Sequence, residues 1–89
     1  MSDFIQDLAD GLARDVLAGS VDLDDPYFYE KVAKVVGASS PTLQEAFMTS
    51  IRIRLAERRG REFLDKALAA KRAGQKLPDA PREAEKGGH

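Results

Sequence analysis

Between Pro41 and Pro78 no proline interrupts the chain, and apolar residues recur there at spacings of three and four. That spacing stacks side chains on one face of a helix, so the run predicts a long third helix over about residues 41–73. Its apolar face does not hold one direction. At about 100° per residue, Leu43, Phe47, Ile51 and Leu55 centre on one side, whereas Phe63, Leu64, Ala67 and Leu68 centre roughly 150° away. Between the two sets lies ERRGRE, with Gly60 in its middle. Two arrangements satisfy this pattern. Either the helix breaks near Gly60 and a fourth helix folds back, or one long rod buries opposite faces against different partners. The second implies an oligomer, because a single chain of 89 residues cannot cover both faces.

Two shorter helices precede it. Phe4, Ile5, Leu8, Leu12, Val16 and Leu17 fall on one helical face and predict a helix over about residues 3–18, capped by Asp3 with Gln6 and ended by Gly19. The polar connection after it ends in Asp25-Pro26, a cap followed by the residue best suited to the first helical position. A second helix over about residues 26–36 follows, with Phe28, Val32, Val35 and Val36 inward and Gly37 closing it. The stretch DLDDPYFYE holds oxygen ligands but lacks the central glycine and twelve-residue ladder of a calcium loop, and it reads as a capping cluster. The third helix is capped by Ser39 or Ser40 ahead of Pro41, with Thr42 and Glu45 as an alternative capping box.

No convincing strand appears. The fold class is therefore all-α, a small bundle of three helices that becomes four if the third breaks at Gly60. Residues 1–73 form one helical domain. Residues 74–89, GQKLPDAPREAEKGGH, hold one large aliphatic residue among prolines, glycines and charges. Such a composition cannot bury enough apolar surface to offset ordering entropy, so a flexible tail is expected.

Composition then narrows the chemistry. Cys is absent, and the only His is the last residue, His89. The helical part thus lacks a thiolate nucleophile, an imidazole base and the usual soft metal ligands, and no cofactor or metal is expected. Ser50 and Lys66 have no activating partner that spacing suggests, so the expectation is a protein that is not an enzyme. The acidic start MSDFIQDLAD is neither a signal peptide nor a membrane span, and a cytoplasmic protein without a membrane partner fits. Charge is distributed unevenly. Residues 1–30 carry eight carboxylates against Arg14 alone, a net charge of −7, while residues 31–76 carry eleven Lys or Arg against four acids, a net charge of +7. This asymmetry suits either an anionic partner or pairing of acidic and basic surfaces within or between chains.

The stretch VAKVVGASSPTLQEAF, residues 32–47, joins the second and third helices. It resembles a DNA-binding helix-turn-helix, and is similar to the motif of tetracycline-repressor-like regulators, on Val32, Ala33, Gly37, Ala38, Ser39, Thr42, Leu43 and Phe47. The resemblance implies that Gly37 takes the positive φ of a tight turn and that Ala33 lies where the helices cross. It also implies a reading surface at the start of the third helix, on Ser39, Ser40, Thr42, Gln44 and, one turn on, Thr49. Arg52, Arg54, Arg58, Arg59 and Arg61 extend that candidate site as phosphate-binding cations. Glu45 opposes it, and Glu57 and Glu62 interleave with the arginines. Tyr27, Phe28 and Tyr29 offer an exposed aromatic patch or, for Phe28 at least, a core position.

Two functions follow from different classes. One is a small non-catalytic nucleic-acid-binding module that engages duplex DNA through its helix-turn-helix-like corner. The other is a helical interaction or assembly adaptor that self-associates through its long third helix, as a homo-oligomer or on a larger protein partner.

Overall fold

In a computed structural model, which describes residues 3–81, the chain is all-helical, with α1 at Asp3–Leu23, α2 at Phe28–Ser39 and α3 at Pro41–Arg72. No strand occurs among the described residues. They divide into two compact units, one reaching to Ala56 and one starting at Glu57, so that the division falls within α3.

The first unit holds the core. Ala9, Ala13 and Leu17 of α1 meet Ala33 of α2 and Phe47 and Ile51 of α3, and Leu12, Val16, Tyr29, Val32, Leu43, Ala46, Met48 and Leu55 pack around them. Phe47 and Ile51 are the largest fully buried side chains. The alanines of α1 and α2 matter by being small, since they let helix backbones approach two bulky residues of α3.

This placement corrects several expectations. The buried line of α1 runs through Ala9, Ala13, Leu17 and Ser20. Phe4 and Leu8 lie roughly 100–140° around the helix from Ala9, and they stay exposed. Val35 is also exposed, and Tyr29 rather than Phe28 packs against the core. Ser20 is buried on the same line, where its hydroxyl donates to the Val16 carbonyl at 2.9 Å and so needs no partner from another helix.

The helix ends differ from the sequence expectation as well. α1 passes through Gly19 and stops at Leu23. Asp24 takes the left-handed conformation at φ 55°, its N–H donates to the Val21 carbonyl, and the Asp25 N–H donates to the Ser20 carbonyl. That pair of bonds is a Schellman ending with aspartate in the position usually held by glycine. α2 starts two residues later than Pro26, because Asp25 and Pro26 are used in a turn. The Asp25 carbonyl accepts the Phe28 N–H at 3.1 Å, and its carboxylate accepts the Tyr27 N–H at 3.1 Å. Gly37 does not close α2, which continues to Ser39.

α3 is unbroken across Gly60, and no fourth helix folds back among the described residues. The Arg61 guanidinium pairs with the Glu57 carboxylate at 2.6 Å, one turn apart and spanning Gly60. Gly74 ends the helix with φ 71°, its N–H on the Lys71 carbonyl and the Gln75 N–H on the Ala70 carbonyl, a second Schellman motif. Residues 75–81 are not helical, and residues 82–89 of the expected tail lie outside the described residues. In the second unit Phe63, Leu64 and Leu68 are 37%, 48% and 46% exposed.

Candidate nucleic-acid interface

The corner between α2 and α3 is a single residue. Ser40 is extended, its N–H donates to the Val36 carbonyl at 2.9 Å, and its hydroxyl accepts the Leu43 N–H at 3.0 Å. Ser40 is thus the N-cap of α3, with Pro41 at the first helical position where its missing N–H costs nothing. That role uses the hydroxyl which the resemblance places on the reading surface.

Gln44 is also committed. Its side-chain amide donates to the Ala33 carbonyl at 2.9 Å, which clamps the first turn of α3 onto α2. The clamp explains Gly37 better than turn geometry does. Gly37 is helical and not at positive φ, but a Cβ there would stand 2.6 Å from Gln44 Cδ. Glycine is present to make room for the amide, and the expected positive φ is not found. Gly37→Ala therefore sets a better helix former, worth about 1 kcal/mol, against a displaced hydrogen bond of similar size. The expected result is a near-neutral or destabilising change in the wild-type background and a stabilising one in Gln44→Ala. A double-mutant cycle by urea unfolding measures this coupling, and additivity would show that the two residues do not touch.

Of the remaining candidates in the first unit, Ser39, Thr42, Thr49 and Arg52 are exposed. Thr42, Thr49 and Arg52 share the side of α3 that faces away from Phe47, together with Glu45. Arg54 does not join them. It lies about 160° from Arg52 around the helix, and its Nε donates to Ser50 Oγ at 3.2 Å. Ser50 is buried, and on α1 the Asp10 carboxylate accepts the Gln6 amide at 3.0 Å. The Ser50 hydroxyl, then the Gln6 amide, and more weakly the Arg54 charge hold the Asp10 carboxyl below its ordinary value, against a small opposing effect of desolvation. Polar groups of α1 and α3 thus influence one another at the core's edge. The sequence reading missed it, although a serine on the Phe47–Ile51 face and an aspartate beside Ala9 are polar residues at apolar positions.

In the second unit Arg58, Arg59 and Arg61 are exposed. Arg61 is held by Glu57, whose hydrogen bond and charge raise the guanidinium pKa further above its ordinary value. Arg58 and Arg61 lie about 60° apart on the helix, while Arg59 points about 100° from Arg58 and borders the apolar face at Phe63. Arg52, Arg58 and Arg59 form no ion pair among the described residues. The ten candidate residues therefore do not form one surface within either unit, and Ser40, Gln44, Arg54 and Arg61 already have partners. Among the described residues no helix is long and apolar enough to cross a membrane. No protein-family model, curated protein or solved structure matches this chain.

Proposed function

We propose that the protein is a non-catalytic helical assembly module of the cytoplasm that self-associates through the second half of α3. The observation that carries this reading is the uncovered apolar face of Phe63, Leu64 and Leu68 on a helix that is continuous through Gly60. Ala67 lies on the same side. Burying such side chains against another chain contributes about 25 cal/mol per Å² of apolar area removed from water, and a small soluble domain does not ordinarily leave large apolar patches open.

Light scattering and sedimentation over a range of concentrations test the proposal. A mass above the 9.7 kDa of one chain, rising with concentration, is expected. Leu64→Ser with Leu68→Ser is expected to return the protein to monomer with its helicity intact, since both residues are surface residues of the single chain. A strictly monomeric wild type at millimolar concentration would sink the reading.

A second reading keeps duplex DNA as partner, favoured by the exposed Arg52, Arg58 and Arg59. With Gln44 and Ser40 engaged inside the fold, such binding rests on phosphates and is insensitive to sequence, so its affinity falls steeply with salt. Titration into labelled duplex decides it. Binding at low salt that survives Arg58→Glu with Arg59→Glu would remove these arginines from any such site.

A further inference from the structure

The self-association proposed above leaves open what lies against α3, and the inference that follows rests on that reading. We infer that the occupant is the exposed face of α1 from a second copy of this chain, so that copies join head to tail.

Two observations point to α1 rather than to a second α3. The first is a matching apolar face. Phe4 is 72% exposed and Leu8 49%, with Ile5 beside them, on a helix whose buried line runs elsewhere through the alanines. The second is charge. Residues 3–23 of α1 carry five aspartates against Arg14, a net charge of −4, whereas residues 57–72 carry six Lys or Arg against three acids, a net charge of +3. Asp7 and Asp15 border the Phe4 and Leu8 face, and Arg59 and Lys66 border the Phe63 face. Asp15 already receives Arg14 at 3.1 Å, but both side chains are exposed and that pair is free to rearrange.

A symmetric contact of α3 with α3 would set +3 against +3 and a contact of α1 with α1 would set −4 against −4. The crossed contact sets aspartates of one strip against Arg59 and Lys66 along one edge of the other, which favours it in encounter rate and register. Two different surfaces meeting in this way make a heterologous interface. Such an interface generates a ring where the rotation closes and a filament where it does not, and a filament keeps an acidic face free at one end and a basic face free at the other.

The test uses two full-length variants, each lacking one face. Phe4→Ser with Leu8→Ser disables the α1 face, and Leu64→Ser with Leu68→Ser disables the α3 face; circular dichroism checks that each remains helical. Each variant alone is expected to sediment as a monomer. Mixed in equal amounts, they are expected to form a 1:1 dimer at concentrations where the wild type associates, because one intact face survives on each. That association is expected to weaken at least about tenfold as salt is raised beyond the range of exposed charges. An α1 variant that associates like the wild type, without rescuing the α3 variant, overturns the head-to-tail contact while leaving self-association through α3 in place. A wild type that stays monomeric overturns self-association itself, and the two failures are thereby distinct.

Discussion

Phe47→Ala is expected to remove about 3–5 kcal/mol of folding stability, the cost of emptying a large aromatic site that cannot fully collapse. Phe47 has no solvent exposure and belongs to a core cluster to which all three helices contribute, with Ala9, Ala13, Leu17, Ala33 and Ile51. Three of the five other cluster members are alanines, too short to move into the space left behind. Small domains carry only about 5–15 kcal/mol in total, so the variant is expected to lose a large fraction of its stability. Urea unfolding followed by circular dichroism measures the loss. Phe63→Ala is the matched control: the same truncation at a site 37% exposed is expected to change the stability of the single chain by less than about 1 kcal/mol. Equal losses at the two positions would mean that the core is not where the first unit places it.

The second large effect is expected at Gly60. A proline there removes one helical hydrogen bond and drives its ring into the preceding turn, at a cost of about 3 kcal/mol or more. The core of the first unit contains no residue beyond Leu55, so the loss falls on the helix from Glu57 onward. Gly60→Pro is therefore expected to lower the ellipticity and abolish association while the unfolding transition of the first unit persists. Gly60→Ala is expected to act in the opposite direction. A Cβ at Gly60 meets nothing within 4 Å, so alanine adds helix propensity of about 1 kcal/mol without a clash. If Gly60→Pro kept the wild-type ellipticity and mass, α3 would be interrupted at that point in solution.

The fold was legible in the sequence wherever a local rule acted alone. Spacing of apolar residues placed three helices, and Ser40-Pro41 marked the start of α3 because a serine cap and a proline act within one turn. The sequence misplaced what depends on a neighbour. Gly19 and Gly37 looked like terminators, but glycine only permits a turn, and both helices had a later ending available. Phe4, Leu8 and Val35 fitted the apolar pattern yet stayed outside, since hydropathy cannot say which part of a broad apolar face a partner helix covers. The contacts made by the candidate site residues were not legible for the same reason. Ser40, Gln44, Arg54 and Arg61 have the right chemistry for a nucleic acid, and within the fold each also makes a hydrogen bond, with Leu43, Ala33, Ser50 and Glu57.

What the sequence determined by itself is the helical class, the order of the three helices, the opposed charge of residues 1–30 and 31–76 and the turn of the apolar face along α3. All of these follow from residue type and spacing within a few turns, where backbone geometry is fixed. Only the tertiary structure decided that α3 runs on through Gly60, that Gly37 exists to admit the Gln44 amide, and that the core is built from alanines around Phe47 and Ile51. Those outcomes depend on which side chains compete for the same volume and the same carbonyl, and spacing along one chain does not record that competition.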